Sequence, residues 1–348
     1  MKRKLATLVI TIAFCFSTLA FVDVAKLGCL VLDDKSGQPL QGIGVTGVFH
    51  MDNGWLGVKG NDNNVDESVT DANGFCQLRG RTNCGDACCF VSSCKDNYYW
   101  ARNGGGGCYF SHRNIFGIWQ PDNLVVTIRL QRVEHPIPLF VKSIRDKSGK
   151  KDLFTQGNGT IRLDLLEGDW LPPVGHGKIA DVEFRRLSRQ SFGEGVNGAG
   201  VKGESFRDSV AVKFLGADNG LVELHPSPKQ CLKIRSAPEN GYKPDYLCWK
   251  GADRKLEEVK SRDDDRSFCF RIRTRRDGHG RVVDAYYGKI YHDIDFAYGF
   301  QPSLHIASMR MFYYLNPNSL DRNLEWDRRT NLCANPGDVG DYPNDRAP

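Results

Sequence analysis

Short alternating apolar runs, each closed by a turn rich in Asp, Asn and Gly, recur along this chain, and no long helical period replaces them. Such punctuation leaves strands as the main option, because a helix needs an apolar residue every third or fourth position over several turns. Residues 26–47 set the pattern. An apolar run enters Asp33-Asp34-Lys35-Ser36-Gly37, passes Pro39 and Leu40, and leaves through a second run in which Ile43 and Val45 alternate with glycines. Residues 69–78 answer it, with Thr70-Asp71-Ala72-Asn73-Gly74 between two strand-like pieces. Asn and Gly tolerate the positive φ that such a turn requires. Gly, at 37 of 348 residues, is frequent enough to supply turns throughout. The expected fold class is all-β.

The order strand, Gly37-x-Pro39-Leu40, strand, Thr70-Asp71-x-x-Gly74 resembles the carboxypeptidase regulatory-like (transthyretin-like) β-sandwich module. The resemblance implies a small antiparallel sandwich with no chemistry of its own, here over residues 21–133. Its last strand is expected at residues 123–131, where Leu124, Val126, Ile128 and Leu130 alternate with Val125, Thr127, Arg129 and Gln131. Residues 51–67, rich in Asn, Asp and Gly and anchored by Trp55, read as a surface loop. Pro136 and Pro138 then block ladder bonding and mark a boundary. Residues 134–335 form a second, larger antiparallel β-rich domain in this reading. Within it, Ala217-Asp218-Asn219-Gly220 reads as a hairpin between residues 209–215 and 221–224. Asp277-Gly278-His279-Gly280 reads as a tight turn that sets Phe270 opposite Tyr287, Ile272 opposite Ala285 and Thr274 opposite Val283.

Most of the chain also resembles exported bacterial proteins with no assigned activity. The residues concerned are Glu167-Gly168-Asp169-Trp170 with Gly175 and Gly177, then Tyr313-Tyr314-Leu315-Asn316-Pro317, and Asp321-Arg322-Asn323-Leu324-Glu325-Trp326-Asp327 leading to Asn331-Leu332. That likeness implies no mechanism. Residues 336–348 carry Pro, Gly and Asp without apolar periodicity and read as a flexible tail.

Residues 1–20 begin with Lys2, Arg3 and Lys4, continue through an apolar core and end on Ser17-Thr18-Leu19-Ala20, the layout of a secretory signal. Acylation at Cys29 is the lesser alternative, because Lys26 stands where a lipoprotein signal needs an apolar side chain. No other segment approaches the ~18 apolar residues of a membrane helix. The reading is therefore an exported protein of periplasm, cell surface or medium that does not span a membrane. Three of the basic residues behind the formal net charge of +5 leave with the signal, and so small an excess argues against a nucleic-acid partner.

Twelve cysteines suit an oxidising compartment. Cys76, Cys84, Cys88, Cys89, Cys94 and Cys108 cluster beside the Gly-rich residues 104–107. Alternation along a strand puts Cys88, Phe90 and Cys94 on one face and Cys89 with Val91 on the other. Zinc thiolates and two or three disulfides are the alternatives. The absence of a C-x-x-C pair, together with export, favours disulfides, whose connectivity stays open.

Gly193-Glu194-Gly195-Val196-Asn197-Gly198 spells G-x-G-x-x-G but has no helical face after it, so it reads as a connection and not a nucleotide site. The eight histidines are scattered, and no H-E-x-x-H or G-x-S-x-G occurs. His292-Asp293-Ile294-Asp295 reads as a solvated strand end, with divalent-metal binding as the alternative. Tyr98 and Trp100 share one strand face and could stack on glycan or peptide. Arg271, Arg273 and Arg275 share another, either as an anion site or as a solvated face with an Arg273–Asp284 pair. Glu167 and Asp169 beside Trp170, and Glu325 and Asp327 around Trp326, are the acids that a glycoside hydrolase would use. The leading functional reading is a non-catalytic binding or structural protein without cofactor or metal, whose partner is a cell-wall or surface glycan or another exported protein. The alternative is a polysaccharide-acting hydrolase.

Overall fold

The structure is a computed structural model that describes residues 24–52, 61–93, 98–99, 108–115, 118–144, 152–224, 234–262, 266–298 and 306–333. The signal region, Trp55, Cys94, Trp100, residues 104–107 and the tail lie outside them. The chain divides into two compact units that meet in sequence between Val133 and Glu134.

The first unit contains β1 (Val24–Asp33), β2 (Gly44–Asp52), β3 (Asn61–Val69), β4 (Phe75–Arg81), β5 (Asp86–Ser93), β6 (Cys108–Tyr109), β7 (His112–Arg113), β8 (Trp119–Gln120) and β9 (Leu124–Leu130). One sheet has the order β4-β1-β9 and another β3-β2-β5-β6, with β7 and β8 as a separate pair. Alternation on β1 turns Ala25, Leu27, Cys29 and Val31 inward, and these share one buried core with Val45, Phe49, Leu78, Cys89, Ile128 and Leu130. The expected tight turn is present: Gly74 has φ 71, and a Cβ there would lie 2.6 Å from the Val31 carbonyl oxygen. At Gly80 a Cβ would meet the Phe49 ring at 2.0 Å, so the ring occupies space that only glycine leaves open.

Residues 61–69 correct the expectation of a loop over 51–67. They form β3, paired with β2 from Gly44↔Val69 to Asp52↔Asn61. An outer strand of a sheet needs no apolar alternation, so its Asn and Asp content resembled a loop. Its side chains have a use, since Asp66 accepts from the Arg79 backbone N–H at 2.7 Å and Asn64 from that of Arg81 at 3.0 Å. Both donors belong to β4 of the other sheet.

The second unit contains β10 (Ile137–Ile144), the short helix α1 (Leu153–Gln156), β11 (Thr160–Asp164), β12 (Asp169–Trp170), β13 (Val182–Arg186), β14 (Gln190–Val196), β15 (Lys202–Phe214), β16 (Gly220–Leu224), β17 (Asp245–Ala252), β18 (Glu258–Lys260), β19 (Ser267–Arg276), β20 (Val282–Tyr298), β21 (Ile306–Leu315) and β22 (Trp326–Asn331). One sheet runs β16-β19-β20-β21-β10-β22, and the other runs β12-β11-β13-β15-β17-β18 with β14 also on β15. Phe184, Val212 and Phe214 from the second sheet pack with Phe268, Phe270 and Met309 from the first. The six-stranded sheet is covered on its other face too, by Ile234, Ala237 and Leu324 and by Trp326. Burial on both faces explains why Phe268 through Ile272 form an unbroken buried run. No helix among the described residues is long and apolar enough to cross a membrane.

Two hairpin expectations need correction. Residues 217–220 do not join a hairpin, because β15 and β16 belong to different sheets. Asn219 secures the corner by donating to the Leu215 carbonyl at 2.5 Å and accepting from the Thr274 N–H at 3.0 Å. The β19/β20 hairpin exists, but its register differs by one residue: Phe270 faces Gly288, Arg271 faces Tyr287 and Ile272 faces Tyr286. Asp277 N–H donates to the Arg281 carbonyl, so the loop is the three residues 278–280. A one-residue slip exchanges the faces of a strand, and Ala285 and Tyr287 accordingly join Cys269 on the opposite side from Phe270.

Candidate functional site

The three arginines on β19 do not converge. Arg271 is 4 % exposed, donates to the carbonyls of Asp218 and Glu239, and stacks 4.5 Å from the Tyr242 ring. Arg275 is solvent-facing and pairs with Asp284, the partner expected for Arg273. Between them the ladder carries a bulge in which Arg273 and Thr274 oppose Ala285 alone, and Arg273 has φ 52. The extra residue turns the Arg273 side chain to the opposite face.

There Arg273 meets two buried carboxylates. It donates to Asp164 Oδ1 at 2.6 Å and to both oxygens of Asp181 at 2.9 Å. Asp164 also accepts from the N–H groups of Leu166, Glu167, Lys178 and Ile179, and Asp181 from that of Leu165. Burial opposes ionisation of Asp164, but the backbone donors of Ile179, Glu167 and Lys178 and the Arg273 charge outweigh it and hold the carboxyl below its ordinary value. Burial wins at Asp181, whose value is raised despite Arg273. Strained backbone beside desolvated charge is the usual mark of a functional site. Here all four carboxylate oxygens already accept from the protein, so the cluster locks the two sheets of this unit and offers no atom to a substrate.

The acids proposed for hydrolysis are likewise engaged. Glu167 pairs with Lys178 at 2.6 Å. Asp169 accepts from the N–H groups of Trp170 and His176, and Gly175 gives it room, since a Cβ there would lie 2.6 Å from Asp169 Oδ1. Glu325, 2 % exposed, accepts from the N–H groups of Glu134 and His135 and lies 3.6 Å from Arg235. Asp327 accepts from Arg329 and Thr330 N–H. The Trp326 indole cannot stack on a sugar, because it is buried against Tyr314. Trp170 is half-buried, edge-on to Phe184.

Residues 293–295 are not a solvated strand end. Asp293 is 5 % exposed, pairs with Arg266 and accepts from the Tyr246 hydroxyl at 2.9 Å, while Asp295 meets Lys250 and Arg262. A register shift between Tyr291 and Asp295 turns this segment inward. The G-x-G-x-x-G stretch is part of β14 and its hairpin to β15, with Glu194 opposite Glu204 and Asn197 closing the turn. On the outer face of β13, β15 and β17 a shallow recess of ≈ 460 Å³ is bordered by Glu183, Arg185, Lys213 and Asp245, whose charges alternate in sign.

In the first unit Tyr98 is 2 % exposed, which removes it from any stacking platform. Its hydroxyl donates to Asp33 Oδ2 at 2.8 Å, and Arg132 donates to both. Burial opposes ionisation of Asp33, but Ser36, Tyr98 and Arg132 outweigh it and hold its pKa far below the ordinary value of 3.8.

The described candidate cysteines are Cys76, Cys84, Cys88, Cys89 and Cys108, and no disulfide joins described cysteines. Cys89 and Val91 point inward and Cys88 and Phe90 are half-buried, as alternation requires. Cys84 donates to the His50 carbonyl, and Cys88 lies 3.9 Å from His50 Nε2. Cys29 is fully buried, so its role in the sandwich core was missed by treating it as a lipidation candidate. Its hydrogen bond with Cys76, added to burial, pushes its thiol up to about 12. No group of three or more His, Cys, Asp or Glu that could hold a metal occurs among the described residues.

No protein-family model matches the chain, and no curated protein matches it. Among solved structures it is similar to a streptococcal ancillary pilin at 11 % identity and TM-score 0.22, over 52 % of this chain and 58 % of that one. The full-length major pilin SpaD of Corynebacterium diphtheriae gives 11 % and 0.23, over 82 % and 81 %. The shaft pilin SpaA of Lactobacillus rhamnosus GG gives 11 % and 0.20, over 74 % and 89 %. TM-scores this low carry neither a fold nor a function across.

Proposed function

We propose that this chain is an exported, non-catalytic structural protein built from two β-rich units, with another exported protein as its partner. One observation carries the reading: the acids that sequence placed beside tryptophans hold the protein's own backbone N–H groups and cations, as at Glu325 with Glu134 and His135. A hydrolase needs one carboxyl free to protonate a leaving group and another free to attack or to activate water. A glycan platform loses its motive with Tyr98 in the core. The first unit is proposed as a carboxypeptidase regulatory-like module; its two sheets and its turn at residues 70–74 support that assignment.

The test is incubation of the intact protein with cell-wall and capsule polysaccharides, measuring release of reducing ends. No release above buffer is expected. Release that Glu167→Gln or Glu325→Gln abolishes, in protein that stays folded, overturns the proposal.

A further inference from the structure

In an asparagine–glycine pair the side-chain amide is open to attack by the next backbone nitrogen, because glycine has no Cβ to screen that nitrogen. Five such pairs begin at described residues: Asn73, Asn158, Asn197, Asn219 and Asn240. The fold restrains four of them. Gly74 N–H donates to the Asp71 carbonyl at 3.0 Å and Gly159 N–H to the Phe154 carbonyl at 2.6 Å, so each nucleophile is engaged. Asn197 Oδ1 accepts from the N–H groups of Ala199 and Val201, which ties its side chain into the hairpin turn. Asn219 is 5 % exposed, with Nδ2 donating to the Leu215 carbonyl and Oδ1 accepting from Thr274 N–H. Asn240 differs. It and Gly241 are both exposed, and among the described residues no hydrogen bond reaches the Asn240 amide or the Gly241 N–H. Gly241 has φ 95, so the turn itself calls for glycine after Asn240. The chain is anchored on either side of the pair: the Glu239 carbonyl accepts from Arg271, the Glu239 carboxylate accepts from Arg322 at 2.9 Å, and the Tyr242 hydroxyl donates to the Pro238 carbonyl at 2.7 Å.

We propose that Asn240 is a site of spontaneous modification, converted through a succinimide to aspartate and isoaspartate. The Gly241 backbone nitrogen gives up its proton to solvent and attacks Asn240 Cγ, closing the ring with a new N–Cγ bond. The Cγ–Nδ2 bond breaks, and the departing nitrogen takes up a proton and leaves as ammonia. Water then opens the ring at either of its carbonyls. Opening at Cγ restores the original main chain and yields aspartate. Opening at the backbone carbonyl of residue 240 leaves the chain running through Cβ and Cγ, an isoaspartate with an added main-chain methylene. The net change is hydrolysis of an amide by water to a carboxylic acid and ammonia, with nothing oxidised or reduced. Either product sets a carboxylate beside Glu239 where a neutral amide stood. Because the anchors at Glu239 and Tyr242 flank the pair, the added methylene falls in the stretch between them, and the unit keeps its fold.

The test ages the intact folded protein in neutral buffer over several weeks. Aliquots are digested briefly with trypsin at mildly acidic pH, which limits conversion during handling, and the peptides are separated and weighed. The peptide of residues 236–250 carries Asn240. It should convert about 2- to 10-fold faster than any peptide carrying the other four pairs, the factor by which one ordinary hydrogen bond that must open first slows a reaction. Its product should appear as two separable forms of equal mass, aspartate and isoaspartate. In denaturing urea all five pairs should react at similar rates. No conversion at Asn240, or conversion of another of the five at an equal or higher rate in the folded protein, overturns the proposal. An advantage that persists unchanged in urea overturns it too, since local sequence and not the fold would then set the rate. Aspartate alone as product would show direct hydrolysis and refute attack by the Gly241 nitrogen. Asn240→Asp should keep the wild-type urea midpoint, and a lowered midpoint would refute the claim that the unit keeps its fold.

Discussion

Replacing Arg273 by Met removes the cation between Asp164 and Asp181 while keeping an apolar stem of similar reach. Two carboxylates, each no more than 2 % exposed, then lie in the core with backbone donors alone. Removing one partner of a buried ion pair costs about 3–5 kcal/mol, and Arg273→Met is expected to lower the stability of the second unit by that amount at pH 7. The pH dependence separates electrostatics from packing. Asp164 is held below its ordinary value of 3.8, so its stabilising contribution is present above that pH and lost as pH falls through the lower folded value. Asp181 is raised, so its contribution is full below 3.8 and lost as pH rises through the raised folded value. Without Arg273 both carboxyls move up, and protonation then relieves the variant first. Urea unfolding at pH 7 and pH 5, with hydrogen exchange of β19 and β20 peptides to identify the unit, should show the gap to wild type narrowing at pH 5. A gap below about 1 kcal/mol at pH 7, or one that does not change with pH, would refute an electrostatic lock of the size that buried pairs carry.

Glu325→Gln keeps an acceptor for only one of the N–H groups of Glu134 and His135, sets its amide NH2 against the other and drops the charge that faces Arg235, and hydrogen bonds to charged groups are worth about 1.5–3 kcal/mol. A lower urea midpoint of the second unit is expected, and an unchanged midpoint would show that the acid does not clasp residues 134–135. Tyr98→Phe leaves a lone pair of Asp33 without its buried donor, at a cost of about 1–3 kcal/mol, read as a lower midpoint of the first unit. Because Asp33 is held far below 3.8, its contribution is present above that pH and lost in stronger acid. Asp33→Asn should therefore flatten the acid limb of the first unit's pH–stability curve, and an unaltered limb would count against the Asp33–Tyr98–Arg132 cluster as its source.

What sequence revealed was the part of the fold that buries one face at a time. Ala25, Leu27, Cys29 and Val31 alternate because β1 has a core side, and Gly74 marks its turn because the Val31 carbonyl leaves no room for a Cβ. β3 was hidden because an outer strand can be polar at every described position except Val65 and Val69, both of which are exposed. Registers were harder. Asp277-Gly278-His279-Gly280 is compatible with a two- or three-residue loop, and only the Asp277–Arg281 pairing decides between them. The bulge at Arg273 leaves no composition signal, so the Asp164 and Asp181 partnership could not be read from β19. Cys29 could have been placed in the core from its own alternation, since it falls in step with Leu27 and Val31.

The two side chains that β3 extends toward β4 bear on how this molecule meets its neighbours. Arg79 and Arg81 would otherwise present amide hydrogens along an open margin, the template on which a foreign strand can add. Asp66 and Asn64 already fill those positions, so an intruder would have to evict a carboxylate and an amide before gaining its first rung. At these two positions the edge is sealed by the protein's own side chains, which removes them as rungs for strand addition.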